Sequence, residues 1–360
     1  MPGISTPLIT GGKSEGILFG RYDAAIRSIV DQKLGAEDNE ENIFKLFKRI
    51  KGKGDAEVAF GSVSSLDDFE PTAPLEDANA DEFSAGFAKK IEFLKYTKKL
   101  VIASEDVEFE HTHIITSKAR QFANAYITTR KKQLGLLYGS ALQGQSTVNV
   151  GTTAMDLTTA DGQPLFSAAH PSKLDPAFVQ SNVGSDDLTM DTIDYVEAAG
   201  QNFEGDRHNL LGMNFDTIVI GNDGGMKRKA FAAVGSPGSF AADNRDAFNW
   251  QYGRWNVIID PYLYRYTGAT KPWFLVDSTY LQEADAAVLV DWKPLTLTNK
   301  RDEDKDAYVY FGRGMYRAGF VDWRYAIAGG VPGAAAFTPA GLIPVSIPVT
   351  VTNAADFPTA

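Results

Sequence analysis

Apolar residues recur at near-helical spacing at Ile17, Ile26, Ile29, Val30 and Leu34, and Gly35 follows as a stop signal. The pattern predicts a short amphipathic helix at the end of a loose arm, because residues 1–16 are rich in Gly, Ser, Thr and Pro. From Asp55 to about Lys95 helix signals are few. Ala56-Glu57-Val58-Ala59-Phe60 on one side and Phe83, Phe87, Ile91 and Phe93 on the other flank an acidic, proline-bearing middle. This predicts a long two-stranded hairpin, and since two strands alone are marginal in water it must lie on something else. From about Thr116 to Ala141 the positions Ala119, Phe122, Tyr126, Leu134, Leu137 and Ala141 fall on one helical stripe that Gly144 closes. At 1.5 Å per residue this helix is roughly 39 Å long.

Residues 146–187 carry Gly151, Gly162, Pro164, Pro171, Pro176 and Gly184, which break any period and predict loops. The rhythm then alternates. Thr189 caps a helix with Ile193, Val196, Ala199 and Phe203 inward, and Asp216–Ile220 forms a buried strand. Asp223 opens a helix carrying Met226, Ala230 and Ala233, and Trp255–Ile259 and Trp273–Val276 add two strands. Together these predict an α/β lobe over residues 150–290. From Ala307 to Ile327 alternating aromatic positions (Tyr308, Tyr310, Tyr316, Phe320, Trp323, Tyr325) predict returning strands, with Gly312-Arg313-Gly314 as their turn. Beyond Gly330 the chain has one charge, Asp356, and an extended apolar run, Pro344–Val351.

Composition narrows the function classes. With 44% apolar and 22% charged residues over 360 positions the chain can bury a real core. No run of about 18 apolar residues occurs, so no membrane partner is expected. The N-terminus lacks a signal-peptide pattern, which predicts a cytoplasmic site of synthesis. There is no cysteine, which removes disulfides and thiolate chemistry. The net charge of −11 argues against phosphate contacts with nucleic acid. A container wall that repels DNA would have this sign, although solubility alone accounts for it more simply.

The order of parts (arm, acidic hairpin, long helix, α/β lobe, returning strands) resembles the α+β capsid fold of tailed phages, the Hong Kong 97 type. Within it, Asp161-Gly162-Gln163-Pro164-Leu165-Phe166-Ser167-Ala168-Ala169-His170-Pro171 is similar to the segment after the long helix in Mu-type major head subunits. Trp273–Asp277 and Gly319–Arg324 sit where such proteins carry similar strings. The resemblance implies an N-arm at 1–35, the start of a P-domain at 36–54 and an E-loop hairpin at 55–95. It further implies a P-domain with spine helix at 96–149, an A-domain at 150–290 and P-domain return strands at 291–330, followed by a C-terminal tail at 331–360. It also implies a non-enzymatic, cofactor-free subunit that self-assembles as hexamers and pentamers into an icosahedral shell. The expected partners are a separate scaffold protein and a portal, with a decoration protein as an optional third. The shell encloses DNA without reading its sequence, and assembles in a bacterial cytoplasm to become part of the virion. Some relatives join a hairpin lysine to a distant asparagine; here Lys89 and Lys90 lie near the hairpin base and none at its tip, so closure is expected to be non-covalent.

Assembly residues follow from charge and apolarity. Asp67, Asp68, Glu70, Glu76, Asp77, Asp81 and Glu82 form an acidic run with no base, expected to lie on a basic strip of a neighbour. Lys45, Lys48 and Arg49, or Arg130, Lys131 and Lys132, are the candidates. In the tail, Leu342, Ile343, Val345 and Ile347 are expected to pack on a neighbouring subunit, or on the outer face of their own P-domain, and to contribute to assembly. Two alternatives stand beside this reading. One is an encapsulin-like compartment shell. The other is a hydrolase, with metal on His111 and His113 (one strand face, with Glu108, Glu110, His170 or His208 as further ligands), or with Ser167 as nucleophile and His170 as base. A loop histidine bonded to nearby backbone is the simpler role for His170, and Ser167 lacks a Gly-x-Ser-x-Gly elbow. Gly221–Gly225 lacks phosphate-loop spacing and predicts a turn and helix cap. Asp302–Asp304 with Asp306 predicts an exposed turn.

Overall fold

The stripe from Ala119 to Ala141 folds as one long helix, and two sheets are arranged against its two halves. The structure, a computed structural model, describes residues 15–37, 43–63, 85–109, 111–235, 249 and 251–337. In chain order come helix α1 (Glu15–Glu37) and strands β1 (Lys48–Lys51), β2 (Glu57–Val63), β3 (Ala85–Glu92) and β4 (Leu94–Ala103). Helices α2 (Ser104–Glu108) and α3 (Thr112–Ala141) follow, then two short hairpins, β5 (Thr147–Val150) with β6 (Thr153–Asp156) and β7 (His170–Pro171) with β8 (Val179–Gln180). The remainder is α4 (Met190–Gln201), β9 (Thr217–Gly221), α5 (Gly224–Val234), β10 (Asn256–Asp260), β11 (Trp273–Val276) and α6 (Ser278–Glu283). The last three strands are β12 (Ala287–Asp302), β13 (Ala307–Phe320) and β14 (Ala326–Gly329).

The fold is mixed α+β, as the sequence predicts. One four-stranded sheet has the order β1-β12-β13-β4, with β1 parallel to β12 and the other pairs antiparallel. The lobe sheet has the order β10-β9-β11-β14, so a strand from beyond residue 290 completes it. The C-terminal half of α3 binds the two sheets together. The Tyr138 ring stacks on Phe274 of the lobe at 5.1 Å and meets Phe320 of β13 at the same distance. Its hydroxyl donates to Leu46 O and is paired with the Tyr325 hydroxyl. Thr189 and Asp223 cap α4 and α5 as their sequences predict, Thr189 through a reciprocal capping box with Thr192.

Several expectations need correction. The helix at the end of the arm packs on its own chain, with Ile26 and Val30 buried against Ile115, Ala119 and Phe122, while residues 1–14 of the arm lie outside the described residues. It also continues past Gly35 to Glu37, since one glycine costs a helix only about 1 kcal/mol. Gly312 and Gly314 are not a turn but lie inside β13. An added Cβ would meet the Phe122 ring at 2.5 Å and the Tyr126 hydroxyl at 2.7 Å, so they are glycine because α3 presses on the sheet there. The turn is at Glu303–Asp306, where Asp306 takes φ +42°, a conformation aspartate tolerates better than most residues. His111 and His113 share no strand face; His111 precedes the first turn of α3 and His113 lies within it. Residues 146–187, expected as loops, contain the two short hairpins.

Candidate assembly surfaces

Ladder register assigns each residue of β13 to a face. Tyr308, Tyr310, Gly312, Gly314 and Tyr316 turn toward α3, so Val309, Phe311, Arg313 and Met315 turn away. Directly beside them stand Val101, Lys99, Thr97 and Lys95 of β4. On the other side stand Lys300, Thr298, Thr296 and Lys293 of β12. This outer face displays Lys95, Lys99, Lys300 and Arg313, with Lys293 in a bulge beside Met315 and Asp302 at the margin, two residues beyond Lys300. None of the five makes an ion pair among the described residues. Val101, 48% exposed, and the half-buried Phe311 and Met315 place apolar surface among the charges.

The other end of the same face is covered. Phe60 of β2 and Ile91 of β3 pack there with Val288, Val290 and Val321. The hairpin then runs away from the cationic patch. Glu92 O accepts from Arg317, Ile91 lies under Gly319, and Lys89 reaches Thr158 O and the Asp156 carboxylate. Beyond it the Phe87 ring carries the Lys173 ammonium at 4.9 Å. Burial lowers the pKa of Lys89 below the ordinary lysine value, with Asp156 opposing that shift. Asp67, Asp68, Glu70, Glu76, Asp77, Asp81 and Glu82, between the two strands, lie outside the described residues.

The basic residues named from sequence fare unevenly. Arg130 faces inward: it is buried, pairs with Asp291 at 3.0 Å, and sits over the rings of Phe44, Tyr126 and Tyr316. It presents no charge to a neighbour, because the 3.6-residue period places it on the buried side of α3. Lys48 is held by Gln282 O and Asp285, and Arg49 lies over the Phe44 ring. Lys45 and Lys132 are exposed and Lys131 is half-buried. Leu342, Ile343, Val345 and Ile347 lie outside the described residues. The sequence reading missed the five-cation face, although Lys95, Thr97 and Lys99 alternate at the strand period.

The hydrolase candidates do not converge. His170 is fully buried, its Nδ1 2.7 Å from Asp161 and its Nε2 3.3 Å from the Asn182 amide oxygen. Its ring stacks on Trp323 at 4.3 Å. The expected bond to nearby backbone is thus replaced by side-chain partners. Burial opposes the Asp161 charge, yet the His170 ring and other donors keep that carboxyl below the usual range. Both ring nitrogens of His170 face Asp161 and Asn182 rather than Ser167, whose hydroxyl accepts from Ala169 N–H. His111 pairs with Asp106, and His208 lies between Glu204 and Asp175. Among the described residues no group of three His, Cys, Asp or Glu could hold a metal ion, and no helix is long and apolar enough to cross a membrane. An open cleft of about 670 Å³ between hairpin base and lobe is lined by Phe60, Phe87, Asp206, Asp322 and Arg324. Its guanidinium is already spent on Asp206 and Asp322.

No protein-family model matches the chain, and no curated protein does. Among solved structures, the chain is similar to the capsid of the cyanophage P-SCSP1u. Identity is 13%, 81% of this chain and 88% of that chain are covered, and the TM-score is 0.48. The capsid of Ralstonia phage GP4 is similar at 9% identity, over 79% of this chain and 86% of that one, with a TM-score of 0.46. A virus-like particle from Pyrococcus furiosus is similar at 12% identity, over 85% and 98%, with a TM-score of 0.43.

Proposed function

We propose that this chain is the major capsid subunit of a tailed-phage-type shell, a non-enzymatic building block that self-assembles around packaged DNA. The observation that carries the reading is the sheet face of Lys95, Lys99, Lys293, Lys300 and Arg313. Five cations that make no ion pair among the described residues stand beside the exposed Val101 and the half-buried Phe311 and Met315, in a chain whose net charge is −11. A monomer gains nothing from that face. The same chain carries seven acids and no base between Asp67 and Glu82, on a hairpin whose strands lead away from its own patch. The acidic run of one copy on the cationic face of the next satisfies both. In this reading α3 is the spine helix, β2 and β3 the base of the E-loop, the lobe with β9–β11 the A-domain, and the β12–β13 sheet the P-domain.

Each exposed pair contributes under about 1 kcal/mol, but a run of them fixes orientation and excludes wrong neighbours. Assembly should therefore weaken as salt rises, because the Debye length shrinks from about 10 Å at 0.1 M to about 3 Å at 1 M. Replacing Lys95, Lys99, Lys293 and Lys300 together by Glu should leave the fold intact, judged by circular dichroism, and abolish large assemblies in analytical ultracentrifugation. Unchanged assembly of that variant would remove the face from the contact. A protein-only compartment is the second reading within the same architecture; particles lacking nucleic acid even when isolated from infected cells would favour it. Scaffold, portal and decoration proteins belong to the first reading as expected partners.

A further inference from the structure

Helix α3 meets the segment that follows β10 at two glycines one helical turn apart, which share a face of the helix. A Cβ added to Gly135 would stand 2.7 Å from Tyr262 Cβ and 2.8 Å from Asp260 Oδ2. One added to Gly139 would stand 2.6 Å from Tyr266 Cβ and 2.8 Å from Leu263 O. The helix backbone therefore lies directly on residues 260–266, which include the short 3-10 turn Leu263–Arg265. Among the described residues no backbone hydrogen bond joins the two sides. Packing holds this seam, and Leu263 is fully buried beside it.

Asp260 sits in the seam and is 3% exposed. Pro261 follows it and has no N–H, so the first backbone donors that bond its carboxyl are those of Tyr262 and Leu263. The oxygen that faces Gly135 has no hydrogen-bond partner. The groups around it do not supply one. On α3 the half-buried Lys131, one turn before Gly135, attracts the carboxylate through space. On the segment itself Arg265 lies over the Tyr262 ring, and the Tyr264 ring lies against Gly221 of β9. From the β9 side Asn222 gives its N–H to the Asp260 carbonyl instead of the carboxyl, and Asp223 is taken up by Lys271 and the first turn of α5. A neutral carboxyl loses little by such burial, whereas a carboxylate with one oxygen dry and unbonded loses much.

We infer that this seam is a proton-operated latch: it is shut while the Asp260 carboxyl holds a proton and parts, ahead of the rest of the fold, once the proton is lost. Parting lets water reach the unbonded oxygen, while α3 and the lobe sheet keep their own hydrogen bonds. Strand β10 is the margin of its sheet and pairs with β9 alone among the described strands, so the segment it feeds moves without breaking a second ladder. The latch belongs to the single subunit and stands apart from the shell reading. Burial holds the carboxyl of the shut seam at about 6, and an opened one returns to the ordinary value near about 3.9. Opening therefore grows roughly tenfold for each pH unit between the two values and levels off above them.

Because the chain has no cysteine, one introduced thiol reports the seam without background. Leu263→Cys places it in the seam, and Thr267→Cys, close in size to the threonine it replaces, serves where the first variant folds poorly; both positions are buried. Val288→Cys, buried under the hairpin base, is the control. Each full-length chain is labelled with a small disulfide reagent at pH 5 and pH 8, with and without Asp260→Asn. The pH dependence of the thiol itself cancels in the ratio of the two labelling rates. That ratio, parent Asp260 over Asp260→Asn, is expected to rise about tenfold from pH 5 to pH 8 at the seam and to stay within about twofold at 288. A flat ratio at the seam would overturn the inference. So would an equal rise at 288, because Asp260 would then loosen the whole subunit at once.

Discussion

At the end of β10 the Asp260 side chain is buried, and one of its carboxylate oxygens lies against Gly135 of α3 without a hydrogen-bond partner. Burial pushes its carboxyl up to about 6, against the backbone N–H groups of Tyr262 and Leu263 and the charge of Lys131. An unfolded aspartate titrates near about 3.9, so between the two values the folded chain binds the proton more tightly. Stability therefore falls as pH rises through this window, and the penalty is complete above the folded value. Asp260→Asn should stabilise the subunit by up to roughly 3 kcal/mol at pH 8, with the gain vanishing near pH 4. Denaturant unfolding of variant and parent at both pH values checks this, and an equal difference at the two would contradict it. A second residue-scale prediction concerns Gly312, where an added methyl meets the Phe122 ring. Gly312→Ala should cost about 1–3 kcal/mol in the same assay. Its role was illegible in the sequence because Gly-x-Gly is a turn signal, and only the approach of α3 to the sheet gives it another meaning. The caps at Thr189 and Asp223 were legible because capping is local chemistry.

At the scale of elements, hydrophobic period located α3, α4, α5 and the lobe strands correctly, since each buries a face that its own spacing defines. What it missed were contacts between elements distant in sequence. Where helix α1 packs could not be read from its own spacing: its Arg27 donates to Leu297 O and its Asp23 accepts from Asn299. The cationic face went unseen for the same reason. It needs β4, β12 and β13 side by side, and treating Gly312–Gly314 as a turn broke the strand that carries Arg313. The hairpin base is anchored by Phe60 and Ile91, and Lys89 is held at Thr158 and Asp156 rather than offered outward. A lysine so placed is a structural member of its own subunit. Mature particles boiled in detergent should therefore run as single chains, and a covalent ladder on the gel would show that closure uses a crosslink. Phe60→Ala should release the hairpin base from the sheet and cost on the order of 3 kcal/mol, measured by unfolding of the isolated subunit.

The whole molecule leaves two features that its own described residues do not complete: the cationic sheet face and the hairpin leading away from its anchor. The acidic run 67–82 between the hairpin strands offers the sheet face a counterpart of suitable chemistry in the same sequence. A surface and a counterpart on one chain that met between copies would make a heterologous contact, which gives rings where the rotation closes. The most direct measurement is electron microscopy of the full chain, purified alone at low salt. The account predicts closed particles, or rings of five and six subunits, that dissociate as salt is raised. A homogeneous monomer at every protein concentration and ionic strength would contradict it.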